Sequence, residues 1–183
     1  MAASVSENSS CFQIVLGSSS PARREILADM GYEFTVVSAD IDERAIRKEE
    51  PEELVKALAE AKVMVSKGVI RERPKSREEA REFIKGYSGD RAFAVNYVLV
   101  TNLNTGASIG GWDIPEICFN HIPYEFIENV VKEGDMTCVA GGLKLTHPSV
   151  SPFIKQLVGT VDSVRGLPRE LTEKLIQELL GTK

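Results

Sequence analysis

An apolar run, Phe12-Gln13-Ile14-Val15-Leu16, passes directly into Gly17-Ser18-Ser19-Ser20-Pro21 and then into a helical stretch from Ala22 to Met30. That order limits the fold more than any other feature of the chain. A buried strand that hands over to a helix through small, hydroxyl-bearing residues opens an α/β unit. The same segment makes a physically sensible anion site. Small residues let backbone N–H groups approach a ligand, the Ser18 and Ser20 hydroxyls can donate, and the helix N-terminus favours negative charge. Arg23 and Arg24 follow at once, and either guanidinium fork can grip a phosphate. On composition alone the segment also reads as an ordinary strand-to-helix loop with solvated arginines.

Strands and helices alternate along the rest of the chain. Gly31 caps the first helix, and Phe34-Thr35-Val36-Val37 is a second strand. Pro51 opens a helix carrying Leu54, Val55 and Leu58 and ending at Ala61-Lys62. Val63 to Ile70 reads as a hairpin around Lys67-Gly68. A helix over Ser76–Ile84 follows, with Ser76 as N-cap and Glu79 completing a capping box. Phe93–Thr101 is a long strand, Asn102–Gly111 a turn and Ile114–Phe119 another strand. Pro123–Lys132 and Leu171–Leu180 are helices. The expected class is α/β, with a mixed central sheet and flanking helices, as one domain over residues 12–183 behind a disordered tail of residues 1–11.

Charge and composition narrow the function. A net charge of −5 argues against a broad grip on nucleic acid, while a local cationic pocket remains open to small phosphorylated ligands. The three cysteines, Cys11, Cys118 and Cys138, form no metal-binding pair, and His121 and His147 stand far apart, so zinc has no support. Unframed cysteines suit a reducing compartment, and no apolar run approaches a membrane span, which points to the cytosol. Asp40, Asp42 and Glu43 place three carboxylates in four residues, a set of hard oxygen donors for Mg²⁺ or Mn²⁺, or else a solvated acidic loop. Lys62 reads as a cation at a helix C-terminus, and Arg73 as a surface residue after the hairpin. Trp112 reads as an anchor after a turn, and His121 and His147 as non-catalytic.

Taken together and in order, these segments resemble the Maf family of nucleotide pyrophosphatases. The likeness starts at Leu16-Gly17-Ser18-Ser19-Ser20-Pro21-Ala22-Arg23-Arg24-Glu25-Ile26-Leu27. It continues through Asp40-Ile41-Asp42-Glu43, Leu58-Ala59-Glu60-Ala61-Lys62, Arg73-Pro74, Glu79-Ala80 and Tyr87-Ser88-Gly89. It closes with Ala140-Gly141-Gly142 and Gly166-Leu167-Pro168. The resemblance implies two lobes around a cleft, similar to the inosine-triphosphate pyrophosphatase group, and a homodimer. It implies hydrolysis of nucleoside triphosphates to the monophosphate and pyrophosphate with a divalent metal. By position, Ser18 and Ser20 would cradle phosphate and Arg23 would clamp it, with Arg24 beside it. Glu43 and Asp42 would hold the metal, and Lys62 and Arg73 would neutralise the triphosphate. Asp162 and Ser163, just before the Gly-Leu-Pro turn, read equally as cleft-facing or as turn residues.

The chain departs from that family in its middle. The resemblance implies a Gly-Ala-Asp-Thr-like strand between the Lys62 helix and the Arg73 hairpin, whose aspartate is the general base. Here Val63 to Val69 contains no Asp or Glu, and counting back from Arg73-Pro74 puts the base near Ala61. Ala22 replaces the first arginine of the signature, Arg73 stands for a lysine, Ala92 and Asn96 stand for His and Thr, and Thr146 falls near a glutamine position. The readings that follow are a pyrophosphatase of impaired turnover or a non-catalytic nucleotide-binding variant. Loss of a strand also exposes an edge and strands a helix without a cap. A version with the missing strand restored should therefore melt far higher in a thermal-denaturation scan, and equal melting temperatures would contradict the reading.

Overall fold

A computed structural model describes residues 12–37 and 62–181. The expected tail of residues 1–11, the acidic stretch with Asp40, Asp42 and Glu43, and the helix from Pro51 lie outside those residues. Strand β1 (Ile14–Leu16), helix α1 (Pro21–Asp29) and strand β2 (Phe34–Val36) form the expected opening unit. β1 and β2 pair in parallel, with Ile14 opposite Phe34. Pro21 sits at the first helical position, where its missing N–H costs nothing, and Gly31 follows the helix at φ +83°. Ile26 and Leu27 of α1 pack with Leu167, Ile14, Leu16 and Phe34 in a small cluster of their own.

The second sheet holds six strands and is antiparallel throughout. Strands β3 (Lys62–Ser66) and β4 (Val69–Arg71) form the hairpin expected around Lys67-Gly68. Both turn residues have positive φ, 54° and 73°, as the tight turn that matches strand twist requires. The long strand β5 (Arg91–Thr101) is the spine. On one edge it pairs with β3, and on the other with β6 (Ser108–Asp113) and then β7 (Glu116–Phe119). Residues 108 to 111, expected in a turn, are therefore strand, because they complete the ladder opposite Val98–Thr101. β8 (Ile154–Val158) adds to β7, although its own sequence carries no clear strand pattern. Parallel and antiparallel pairing both occur, but in separate sheets.

Helix α2 (Arg77–Tyr87) is capped by the Ser76 hydroxyl, which accepts from the Glu79 N–H at 3.1 Å. Glu79 reaches back to the Lys75 N–H rather than to Ser76, and the helix runs one turn beyond Ile84. Ile84 and Tyr87 join Ile127, Val130 and Val131 of α3 (Tyr124–Glu133) and Ala92, Ala94 and Ile117 of the sheet in the main core. The short helix α4 (Val161–Arg165) leads into Gly166-Leu167-Pro168 and the last helix, α5 (Arg169–Leu180), which packs along β5 and β6.

Two expectations change. Lys62 does not end a helix but begins β3, and β3 is paired on both edges, with Met64 between Arg71 and Ala94. Among the described residues β3 offers no open edge, and β4 is the outer strand on that side of the sheet. Val63 and Val65 alternate in a run that suits a strand, and the ladder with β5 outweighs any helical preference of a single lysine. What remains exposed is the opening unit. A two-stranded sheet is marginal alone, and Val15 and Val36 are 47% and 38% exposed.

Tyr87 ties the hairpin, α2 and the 140–142 turn together. Its ring stacks on Phe119 at 5.3 Å, its hydroxyl donates to the Gly141 carbonyl at 2.8 Å, and the buried Arg71 guanidinium lies 4.8 Å over it. Gly141 holds φ +80°, and a Cβ there would come within 2.5 Å of the Met64 side chain. Burial pushes the Tyr87 phenol up to about 12, although the Arg71 cation works in the other direction. The unfolded phenol loses its proton near pH ~10 while the folded one keeps it. This contribution to stability is thus complete below pH ~10 and is lost as pH rises toward 12. Tyr87→Phe should cost about 1 kcal/mol at neutral pH through the lost hydrogen bond. It should also show a smaller drop in urea midpoint between pH 8 and pH 10.5 than the parent, with Tyr32, likewise raised to about 12, supplying the remainder.

Candidate active site

The loop between β1 and α1 carries Ser18 and Ser20, and the first turn of α1 carries Arg23 and Arg24 beside them. Ser18 is buried, and its hydroxyl oxygen accepts from the Ser20 N–H at 3.3 Å and from Arg23 Nη1 at 3.2 Å. Arg23 Nε donates to the Gly166 carbonyl at 3.0 Å. This arginine therefore joins the Gly-Ser loop to the Gly-Leu-Pro turn 143 residues later in the chain. The exposed Arg24 folds back so that Nη2 donates to the Ser19 carbonyl at 2.7 Å. The result is a helix N-terminus with two guanidinium groups drawn over a loop of small residues, the arrangement an anion needs.

Acid–arginine pairs hold the neighbouring elements in place. Arg165 bonds Glu25 of α1 and lies 3.5 Å from Asp162. Arg169 bonds Asp162 and reaches Asp29 at 3.3 Å, and the Asp162 carboxylate, the nearer partner, raises the Arg169 pKa most. α4 is thereby tied to α1 on one side and to α5 on the other. Its own N-terminus is closed by Thr160, whose hydroxyl accepts from the Ser163 N–H at 3.1 Å.

A second group of polar side chains lies where α4 meets the sheet. Asn96, 2% exposed, sits in the middle of β5 among apolar neighbours. Its Nδ2 donates to Asp113 Oδ2 at 3.1 Å and to the Ser163 carbonyl at 2.9 Å. Ser163 Oγ donates to Asp113 Oδ1 at 3.3 Å. In the sheet register Asn96 stands between Lys62 of β3 and Asp113 of β6. β4 runs antiparallel to β3, with Arg71 opposite Met64, so the chain leaves β4 toward the Lys62 end and carries exposed Arg73 that way.

Of the residues expected from sequence, Ser18, Ser20, Arg23 and Arg24 form one group. In the sheet register Lys62 stands opposite Asn96, and exposed Arg73 follows β4 on the far side of β3. Asp42 and Glu43 lie outside the described residues, and no cluster of three metal-ligating side chains occurs among those described. No sequence pattern joins Asn96, Asp113 and Ser163 as a set. The available signal was a lone amide inside the strand pattern of β5, together with a serine beside the Gly-Leu-Pro turn.

Beyond α4 a cavity of about 370 Å³ opens between Leu145, His147, Ile154, Leu157 and Val164, with Thr146 at its wall. His147, expected to be non-catalytic, lines it, and its Nδ1 accepts from the Ser149 N–H at 3.3 Å. His121 pairs with the Ser88 hydroxyl at 3.2 Å. Trp112 packs on Tyr97 at 4.6 Å and stays 39% exposed. No helix among the described residues is long and apolar enough to cross a membrane.

A strand, a serine-rich loop and a helix N-terminus clamped by arginine define a phosphate-handling α/β protein. Residues 13–179 match the family described as Maf-like protein, and the chain belongs to it. It is 36% identical over 192 residues to the 7-methyl-GTP pyrophosphatase of Dictyostelium discoideum, a match covering 91% of this chain and 96% of that protein. The dTTP/UTP pyrophosphatase of Vibrio parahaemolyticus is 28% identical over 186 residues, covering 91% and 97%. That of Alkaliphilus metalliredigens is 26% identical over 175 residues, covering 85% and 90%.

Arg23 joins two distant segments by geometry as well as by charge. A lysine keeps the cation but not the planar fork that meets Gly166 and Ser18 at once. Arg23→Lys should lower stability by about 1 kcal/mol in urea denaturation, and an unchanged midpoint would show that the link carries nothing.

Proposed function

We propose that this chain is a nucleoside triphosphate pyrophosphatase that yields the monophosphate and pyrophosphate, working as a single catalytic unit over residues 12–183 in the cytosol. The observation that carries the reading is the Ser18–Arg23–Gly166 cluster at the α1 N-terminus, in a chain similar to pyrophosphatases along most of its length. Ser18 and Ser20 cradle phosphate oxygens, and Arg23 and Arg24 meet their charge, which is what a phosphoryl transition state needs from fixed groups. Lys62 and Arg73, from the neighbouring sheet end, neutralise the rest of the triphosphate. Asp42 and Glu43 are hard oxygen donors of the kind Mg²⁺ or Mn²⁺ takes, whereas the described phosphate face is cationic and hydroxylic. They would hold the metal, which supplies further charge neutralisation when bound. The nucleoside end fits the cavity beyond α4, whose volume and mostly apolar walls suit a base.

Turnover is lower than in a complete family member. The match with the Dictyostelium protein spans 192 residues against a chain of 183, so that protein carries positions this chain lacks. With no acid from Val63 to Val69, the base that the family resemblance places on that strand is missing, and such a loss lowers the rate by about 10²–10⁴-fold unless a carboxylate elsewhere takes its place. The protein is a homodimer in this reading, supported by the exposed apolar side chains Leu99, Leu103 and Trp112 around the β5–β6 hairpin.

The test is pyrophosphate release from a panel including 7-methyl-GTP, dTTP and UTP, with Mg²⁺ or Mn²⁺, on protein whose mass in solution is measured alongside. Slow turnover abolished by Arg23→Ala and by Glu43→Ala is expected. Thermal stabilisation by triphosphate without any turnover would replace it with the non-catalytic binding variant. Neither turnover nor stabilisation would remove both.

A further inference from the structure

Asn96 carries a clue that the phosphate cluster does not use. Both hydrogens of its Nδ2 are committed, one to Asp113 Oδ2 and one to the Ser163 carbonyl, and both partners are acceptors. That fixes the amide orientation, because a flipped amide would put oxygen against oxygen. Oδ1 is then left buried, with no hydrogen-bond partner among the described residues. A buried acceptor without a donor is costly, and such a group calls for a reason: stored strain, a catalytic role, or a water or ion that it binds.

Asp113 stands beside it. Its two oxygens accept from Asn96 and from Ser163, and each retains a further lone-pair site. The residue is half-buried, so it is reachable from solvent while Asn96 is not. Asn96 Oδ1 shares its carbon with the nitrogen that bonds Asp113, so the orphaned oxygen and the carboxylate are neighbours across the β5–β6 ladder, and a water drawn in with the substrate would meet both. Such a water has two hydrogens and would find two acceptors, with its lone pairs turned outward. α4 connects this point to the phosphate cluster: Ser163 bonds Asn96 and Asp113, and Gly166, just past the helix, bonds Arg23.

We infer that Asn96 and Asp113 hold the attacking water in this chain, and that Asp113 is its general base, a carboxylate on β6 in place of an acid on β3. The inference rests on the pyrophosphatase reading above. In the step, the water oxygen bonds to the α-phosphorus as its proton passes to the Asp113 carboxylate. The bond from the α-phosphorus to the bridging oxygen breaks, and pyrophosphate leaves with that electron pair. Asp113 then returns the proton to solvent. Asn96 keeps the water oriented, and Ser163 keeps the carboxylate in place.

The experiment measures kcat, KM and the pH profile for the full chain and three variants, with Mg²⁺ and the best triphosphate of the panel. Asp113→Asn should lower kcat by about 10²–10³-fold with little change in KM, and should erase the acid limb of the kcat/KM profile. Asp113→Glu should recover part of the rate and keep the limb. Asn96→Leu should lower kcat while the limb survives. If Asp113→Asn does not fold, as read by thermal melting, the Glu and Leu variants decide, and parental rates in both overturn the inference. Parental kcat in Asp113→Asn overturns it directly. So does a shifted Mg²⁺ half-saturation with an intact acid limb, which would make the pair a metal site. If the parent itself turns over no triphosphate, the pyrophosphatase reading fails and this inference falls with it, an outcome distinct from an active parent indifferent to Asp113.

Discussion

Asn96 lies buried at the centre of β5, and the hydrogens of a buried amide must find acceptors inside the protein. That obligation organises much of what surrounds it. Asp113 arrives on β6, and Ser163 arrives on α4, each because the amide hydrogens need an acceptor. Once α4 is docked there, Gly166 follows at a fixed distance along the chain, and its carbonyl meets Arg23. Arg23 in turn holds Ser18. A single polar group in an apolar strand thus couples the six-stranded sheet to the loop at the α1 N-terminus.

The two apolar clusters depend on that coupling differently. The main core gathers α2, α3 and the sheet around Ile84, Tyr87 and Ala92 and is closed by its own packing. The smaller cluster of Ile26, Leu27 and Leu167 serves two three-residue strands and is too small to stand alone. It is held against the rest by Leu167 and by the ionic ties of Arg165 and Arg169 to Glu25, Asp162 and Asp29. Exposed ion pairs contribute little singly. Their number here, together with the buried Ser18 and the Arg23 bonds, sets the position of α1 more than its strength. The phosphate-facing loop therefore rides on a unit whose placement is polar in origin, on a protein whose net charge is −5.

Much of this was legible beforehand. The strand–loop–helix opening, the Lys67-Gly68 hairpin, the Ser76 cap and the helices near 124–133 and 169–180 all follow from local signals: turn residues, caps and apolar periodicity. β8 and α4 were not legible. Ile154–Val158 alternates weakly and becomes a strand only because β7 offers a free edge, and five residues of α4 are too few for a periodic pattern. Lys62 differs from expectation for a related reason, since a lysine after Leu-Ala-Glu-Ala continues a helix pattern locally while the ladder with β5 claims its backbone as strand.

By itself the sequence determined which groups are present. It supplied the small residues and arginines of the phosphate loop and the lack of any acid from Val63 to Val69. Those are facts of composition and short spacing, and local physics suffices to interpret them. Only the tertiary structure decided that Asn96, Asp113 and Ser163 meet, because they come from positions as much as 67 residues apart and touch only through sheet register and the docking of α4. Register is set by ladders across the whole sheet, and no window of sequence short enough to read for local pattern contains that information.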